Sequence, residues 1–174
     1  EANFAFLQDL VRMVRTLRSE CTITPDKKIR ILVRIEGALS AVLRENENLV
    51  KLLAGIGELE IEGSAETQGA GDAPSTLHPL STHPQGSIGL AGKNFEVFVF
   101  LGGAVDTAAL TVKFKKDLEK DKKFTGSLQA KLRNDQFVKN APAELVAAEK
   151  DKLEEAEKRI KKIESYIRDM EGSA

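Results

Sequence analysis

The stretch that decides the fold is KLRNDQFVKNAPAELVAAEK, residues 131–150. It lies between two charged segments of helical periodicity, yet it contains residues that are unsuited to a helix interior. Pro142 is disfavoured inside a helix but favoured in a first turn, where the charge of Glu144 also suits the helix N-terminus. Turn-forming residues precede this point: Asn134, Asp135 and Asn140. The stretch therefore predicts that one helix ends, the chain reverses, and a second helix begins near Pro142.

The flanking segments carry apolar residues at alternating spacings of three and four, which is the seam of a coiled coil. After the reversal the seam positions are Val146, Glu149, Leu153, Ala156, Ile160, Ile163, Ile167 and Met170, interrupted only by Glu149. Before it they are Phe114, Leu118, Asp121, Thr125, Leu128 and Leu132. Two seams joined by a reversal predict a long antiparallel coiled-coil helical hairpin with arms of about 45 Å. We expect Asp121 and Thr125 to pair polar groups across it or admit water.

The tip of this hairpin is expected to have an apolar cap. Phe137 and Val138 lie in the reversal itself and can fold over it against Leu145 or Val146. Phe137 is also the one candidate for contact with an exposed nucleobase, although the apolar cap is the simpler interpretation.

The N-terminal part has mixed periodicity. Residues 3–20 form an amphipathic helix with Arg12, Arg15 and Arg18 mostly off its apolar face, and residues 28–35 alternate as a half-buried strand. Residues 38–57 return to helical spacing, with apolar positions at Leu39, Val42, Leu43, Leu49, Leu52 and Leu53 and a cap at Gly55 or Gly57. A short strand at 58–63 and a hairpin at 88–100 follow. The fold class is therefore α+β, with a mostly antiparallel sheet.

Composition marks the boundaries between these parts. Residues 63–87 combine Gly, Ser, Thr and Pro with few large apolar side chains, which predicts a disordered loop. The predicted organisation is a linking helix at 1–24, a small α+β domain at 25–103 that contains this loop, and the coiled-coil arm at 104–171. Because the chain starts at Glu1 without Met and goes straight into a helical pattern, we expect a piece of a longer polypeptide.

Overall composition excludes several classes of protein. The net charge of -1 on 174 residues predicts neither a nucleic-acid nor a membrane partner by itself. The single cysteine, Cys21, rules out an internal disulfide framework and is consistent with a reducing compartment. The longest apolar run is too short to span a bilayer, and no signal sequence opens the chain. We expect a cytoplasmic protein.

The distribution of charge is more informative than its total. Residues 106–140 contain nine basic and five acidic residues. At 100° per residue, five lysines fall within an arc of about 80° that faces away from the seam: Lys113, Lys116, Lys120, Lys123 and Lys131. We call this set the lysine stripe. A solvated outer face has this pattern, and so does a face that tracks a phosphate backbone without reading sequence.

Residues suited to catalysis or metal binding do not assemble into a recognisable motif. His78 and His83 have no cysteine and few carboxylates nearby, so no metal site is predicted. Cys21 has no evident base partner, and GGAVD at 102–106 lacks the spacing of a phosphate loop. The sequence thus predicts neither an enzyme nor a cofactor.

Three segments resemble a known family. FVFLGGAVD at 98–106, followed by a charged helix and then KLRNDQFVKNAPAELVAAEKDKLEEAEKRI at 131–160, closely resembles the C-terminal end of bacterial-type valyl-tRNA synthetases. LVRMVRTLRSECTITPDKKI at 10–29 resembles the segment that precedes it in those enzymes. The resemblance covers nearly the whole chain apart from 63–87. The two departures are that loop and Phe100, where the family often has Pro.

The resemblance implies a function. In that family the terminal hairpin is a tRNA-binding arm that leans on the outer corner of the tRNA, where the D and T loops meet. Aminoacylation and editing lie in upstream domains, and the HIGH and KMSKS signatures are absent from this sequence. The chain is thus expected to bind tRNA without catalysing a reaction, as part of an ATP-dependent valine-tRNA ligase whose upstream domains are its other partner. The expected tRNA is tRNA-Val, and the expected state is a monomer without a membrane partner.

The predicted contacts come from helical geometry and not from a family motif. We predict that the phosphates meet the lysine stripe and two cations near the tip: Lys113, Lys116, Lys120, Lys123, Lys131, Arg133 and Lys139. The alternative is a coiled-coil module for protein interaction or dimerisation, because polar seam positions leave room for an intermolecular register.

Overall fold

A computed structural model describes residues 2–35, 37–63 and 83–172. The chain divides into two compact units, one ending at Thr107 and the other covering Ala108–Gly172. Most of the predicted loop at 63–87 falls on residues 64–82, which lie outside the described residues.

The first unit contains three helices and a four-stranded sheet, one face of which is buried. Its elements are α1 (Ala2–Glu20), β1 (Ile29–Ile35), α2 (Ala38–Glu45), α3 (Glu47–Ala54), β2 (Ile56–Glu62), β3 (Ser87–Ala91) and β4 (Phe95–Phe100). The alternation of β1 buries Ile29, Ile31 and Val33, while Leu10, Val14 and Leu17 of α1 are fully buried. These side chains form the core because each lies on the apolar face that its local periodicity predicts.

The sheet is mixed, so the prediction of a mostly antiparallel sheet is wrong. Its strand order is β2-β1-β4-β3, and β1 pairs with β2 in parallel. The antiparallel pairs are β1 with β4 and β3 with β4, the latter being the predicted hairpin. The parallel pair forms because α2 and α3 carry the chain back across the sheet, and such a return is long enough for a crossover connection.

The helix predicted over 38–57 is two shorter helices. Asn46 lies outside the helical region, at φ -107° and ψ 13°, and separates α2 from α3. Gly55 ends α3 in the left-handed conformation at φ 67°, as its position predicted. The positions predicted to form the apolar face of α3 are not buried: Leu49, Leu52 and Leu53 are exposed. The buried residues of α3 are Val50 and Ala54 instead.

The second face of the sheet carries arginines over aromatic rings. The guanidinium carbon of Arg30 lies 4.7 Å from the ring centroid of Phe100, and that of Arg34 lies 4.6 Å from the ring centroid of Phe98. Arg30 also donates from Nη2 to Glu60 Oε1 at 2.5 Å. These guanidinium groups thus cover part of the Phe98 and Phe100 rings.

The second unit is the predicted antiparallel hairpin. It consists of α4 (Thr107–Arg133), α5 (Asp135–Asn140) and α6 (Ala143–Glu171). The buried seam of α4 contains Leu110, Phe114, Thr125 and Leu128, and that of α6 contains Val146, Glu149, Ala156, Ile163, Tyr166 and Ile167. The rings of Phe114 and Tyr166 lie 5.7 Å apart, centroid to centroid, across the pair.

The reversal differs in detail from its prediction. Asp135 and Asn140 belong to the short helix α5, whereas Asn134 caps it by accepting a 3.0 Å hydrogen bond from the backbone N of Gln136. Pro142 lies immediately before α6, and its carbonyl accepts from the backbone N of Leu145 at 2.9 Å. The chain turns where the sequence predicted, but through an additional short helix, α5.

Candidate nucleic-acid interface

The lysine stripe lies on the solvent side of α4. All five of its lysines are exposed, and the buried residues of the helix face α6 instead. This placement follows from helical periodicity alone, since the stripe and the seam lie on different faces of one helix.

Three stripe lysines have weak local partners or none. In the described part of the chain, Lys116 makes no ion pair. Lys120 Nζ lies 3.9 Å from Asp117 Oδ1, and Lys123 Nζ lies 2.9 Å from Glu119 Oε1. The hydrogen bond from Lys123 lowers the pKa of Glu119. Such exposed pairs within one helix contribute a few tenths of a kcal/mol, about 0.3–0.5, so a phosphate can replace them readily.

Lys113 and Lys131, the two ends of the stripe, both lie near aromatic rings. Lys113 Nζ is 6.0 Å from the ring centroid of Phe114. Lys131 Nζ is 5.3 Å from the ring centroid of Phe137 and 3.3 Å from Glu149 Oε2 on the other arm. Lys131 is therefore held from two sides, unlike the middle of the stripe.

Glu149 is the buried carboxylate at the distal end of the seam. Its exposure is only 5%, and its Oε1 accepts a 3.0 Å hydrogen bond from Lys152. That hydrogen bond, followed by the contact with Lys131, lowers the pKa of Glu149 against the opposing effect of burial. The residue that interrupts the apolar seam is thus a charged group paired with two lysines.

Other charged residues hold the two long helices together. Arg159 of α6 donates two hydrogen bonds to Asp121, at 2.7 and 2.9 Å, and this contact raises the pKa of Arg159. Lys122 lies 2.8 Å from Glu164, and Lys115 pairs with Glu171. From the Lys115–Glu171 pair to the Lys131–Glu149 pair, positions advance along α4 while their partners recede along α6, which is the register of an antiparallel pair.

The predicted polar pairing across the seam is half right. Asp121 does bind across the hairpin, whereas Thr125 Oγ1 donates to the carbonyl of Asp121 in its own helix at 2.8 Å. The basic residues of α4 are thus sorted into two groups. Lys115, Lys122 and Lys131 pair with carboxylates of α6, whereas Lys116, Lys120 and Lys123 face solvent.

The tip presents two more cations. Arg133 ends α4 and Lys139 lies in α5, and both are exposed and make no ion pair among the residues that the structure describes. The predicted apolar cap is incomplete, because Val138 and Leu145 are 42% and 43% exposed. Phe137 is partly buried beneath Lys131.

One residue near the stripe was missed from the sequence. Phe124 follows Lys123 and is 45% exposed, so a large aromatic side chain lies at the edge of the basic face. Phe124 could have been found from the sequence, because at 100° per residue its position on the helix falls between the seam and the stripe.

The described residues offer no obvious alternative chemistry. They contain no group of three or more His, Cys, Asp or Glu side chains arranged to hold a metal ion. Within the same ranges, none of the helices combines the length and apolar character that a membrane span requires. Cys21 is buried, and the ring of His83 packs edge-on against Phe98, with centroids 5.2 Å apart. His78 lies outside the described ranges.

These features define a class of protein: a two-helix arm with an exposed basic face, attached in sequence to a small α+β unit. Residues 106–171 match the family described as the valyl tRNA synthetase tRNA binding arm. The hairpin matches this family, which confirms the resemblance found in the sequence.

Curated relatives extend the similarity to almost the entire chain. The chain is 34% identical to the valine-tRNA ligase of Treponema denticola over 168 residues, which cover 96% of this chain and 17% of that protein. It is 31% identical to the ligase of Treponema pallidum, with 98% and 18% covered, and 29% identical to that of Aquifex aeolicus, with 93% and 12% covered. The chain thus spans less than a fifth of the length of these relatives.

Proposed function

We propose that this chain is the non-catalytic tRNA-binding region of a valine-tRNA ligase, and that its hairpin contacts the outer corner of tRNA-Val, where the D and T loops meet. The observation that carries the proposal is the lysine stripe, exposed along one face of a hairpin that matches a tRNA-binding family. The corner of a folded RNA can be recognised by shape and backbone, which suits a rigid basic surface.

The ion pairs of the hairpin support two different roles for its basic residues, RNA binding and stabilisation of the hairpin. Lys116, Lys120 and Lys123 lie opposite the seam, and only weak local contacts compete with a phosphate there. Lys115 and Lys122 already bind carboxylates of α6, so they stabilise the hairpin instead. Arg133 and Lys139 extend the basic surface to the tip. Phosphate contacts of this kind contribute affinity and orientation but carry no sequence information.

The proposal places the chain in a larger enzyme. Activation of valine and its transfer to tRNA belong to domains outside this chain, which needs no cofactor or metal of its own. We propose that residues 1–24 link to those domains, that 25–103 form the intervening α+β domain, and that 104–171 form the arm. The protein acts as a cytoplasmic monomer.

The first test is the salt dependence of tRNA binding. For duplex DNA each phosphate contact contributes about -0.9 to the slope of log K against log salt concentration, and we apply this value to folded tRNA. Changing Lys116, Lys120 and Lys123 together to Gln should therefore reduce the magnitude of the slope by about 2.7 and weaken binding. The matched control changes the same number of cations on α6, namely Lys150→Gln, Lys161→Gln and Arg168→Gln, and should leave most of the slope intact.

Footprinting tests where the arm binds. The wild-type chain should protect the D and T loops of the tRNA and leave the acceptor end and the anticodon accessible. Equal salt slopes for the two triple variants, or protection spread over the whole tRNA, contradict the proposal.

A coiled-coil interaction module is the competing function. The seam residues are already buried between α4 and α6 of one chain, so a second coiled coil can use them only by exchanging a helix. Sedimentation separates the two ideas. We expect a monomer whose mass increases when tRNA is added, whereas a tight dimer that ignores tRNA supports the interaction module.

A further inference from the structure

The buried carboxylate of Glu149 connects the two arms near the tip. Its Oε2 lies 3.3 Å from Nζ of Lys131 on α4, and its Oε1 accepts a 3.0 Å hydrogen bond from Lys152 on α6. A carboxylate that is 95% buried is stable only when it is paired in this way. Glu149 therefore holds the end of the Lys131 side chain in one place.

The position of Lys131 matters for the third helix. The same Nζ lies 5.3 Å from the ring centroid of Phe137, a distance at which a cation is attracted to an aromatic face. Phe137 belongs to α5, so the contacts Glu149–Lys131–Phe137 join α6, α4 and α5. We call these three residues the tip contact chain.

The short helix α5 has little other support. It has six residues, none of them buried, and a helix this short is unstable without tertiary contacts. Its own bonds are the Asn134 cap, a 3.2 Å hydrogen bond from Asn140 Nδ2 to Gln136 Oε1, and single backbone bonds such as Val138 N to the carbonyl of Asn134 at 3.0 Å. The contact between Lys131 and Phe137 is thus a tertiary contact that joins α5 to α4.

We infer that Glu149 is a positioning residue for RNA binding: through Lys131 and Phe137 it fixes α5, so that Arg133 and Lys139 meet the RNA in a defined orientation. The inference rests on the proposed function. It also gives Lys131 a supporting role, in place of the phosphate contact that helical geometry predicted.

The inference predicts an effect opposite to that of simple electrostatics. If charge alone mattered, Glu149→Gln would strengthen tRNA binding, because it removes a negative charge and releases a lysine. If Glu149 positions the tip, the same change weakens binding, because a neutral amide holds Lys131 less firmly than a carboxylate does. Whether Glu149→Gln weakens or strengthens tRNA binding therefore decides between positioning and simple electrostatics.

The binding experiment uses the full chain and tRNA-Val at one fixed salt concentration. Glu149→Gln is expected to weaken binding about fivefold to tenfold, in line with the loss of one charge-assisted hydrogen bond. The control Glu155→Gln removes an equal charge from an exposed position on the same helix and should leave binding unchanged or slightly stronger. Tighter binding by Glu149→Gln overturns the inference.

A double-variant cycle tests whether Glu149 acts through the tip. In a chain that already carries Lys139→Gln, the effect of Glu149→Gln should shrink to about twofold or less, because one contact that it positions is gone. In a chain that carries Lys116→Gln, the effect of Glu149→Gln should persist undiminished. Equal effects in both backgrounds contradict a positioning role.

Amide hydrogen exchange tests the tip without RNA. In Glu149→Gln, the amides of Val138 and Ala141 should exchange about tenfold faster, while those in the middle of α6 keep their wild-type rates. Unchanged rates at the tip, or equal acceleration along both long helices, overturn the inference. If the wild-type chain binds no tRNA, the proposed function fails, and the exchange rates still show whether Glu149 holds the tip.

Discussion

Arg18 provides the sharpest prediction about stability. Its guanidinium is buried at the end of α1 and donates to three backbone carbonyls: Gly55 at 2.8 Å, Thr24 at 2.8 Å and Lys27 at 2.9 Å. One side chain thus joins the end of α1, the end of α3 and the turn before β1. Arg18→Met keeps most of the side-chain length but removes every one of these bonds.

The expected loss of stability follows from the number of hydrogen bonds removed and from the hydrogen bonds that the carbonyls retain. A hydrogen bond from a charged donor contributes about 1.5–3 kcal/mol. Two of the carbonyls keep a second donor, because Thr24 O accepts from Lys27 N at 3.1 Å and Gly55 O accepts from Ile29 N at 3.4 Å. We therefore expect Arg18→Met to lower the free energy of unfolding of the first unit by about 3–5 kcal/mol.

The only cysteine of the chain is a local probe for this change. Cys21 is 2% exposed and its backbone N donates to the carbonyl of Leu17, so a thiol reagent reaches it only when the end of α1 opens. A loss of about 3–5 kcal/mol should accelerate labelling by about two to four orders of magnitude. The control Arg15→Met, at an exposed position of the same helix, should have almost no effect. An acceleration below about tenfold in Arg18→Met refutes the assigned role.

Two further predictions concern the arm. Because its pKa is lowered in the folded state, Glu149 contributes stability above the ordinary carboxyl pKa of about 4.3, and this is lost as the pH falls through the lower folded pKa. Thermal melts should show a smaller loss of stability on acidification in Glu149→Gln, and an unchanged acid profile contradicts this. Gly126 lies inside α4 with open space where the methyl group of an alanine would lie, so Gly126→Ala should stabilise the arm by about 0.5–1 kcal/mol in urea unfolding. A destabilised variant would show that this position needs glycine.

Local periodicity was enough to predict most of the elements. The alternation in 28–35 predicted β1, and the repeat of three and four residues predicted α4 and α6 with their buried seams. Pro142 located the reversal because a proline that lacks its N–H begins a helix far more readily than it continues one. The extra helix α5 was missed because six residues are too few to show a recognisable helical repeat.

The candidate site was likewise predictable from the sequence only in part. Exposure of the lysine stripe follows from the helical angle of each lysine, and its binding of RNA stays a prediction. The different state of Lys131 could not be read from its own segment, because Glu149 is 18 positions away and Phe137 belongs to another helix. The heptad break at Glu149 was the one visible sign of that contact.

The sequence by itself determined which residues are apolar on each helix and strand, where the chain reverses, and which lysines share a face. These properties depend on neighbours within one or two turns, so the geometry of a single element expresses them. The tertiary structure alone decided that β1 and β2 are parallel, that Arg18 is buried, and which charges of the arm pair across it. Those outcomes depend on groups far apart in sequence, because only the folded chain brings a donor to its acceptor and removes the water between them.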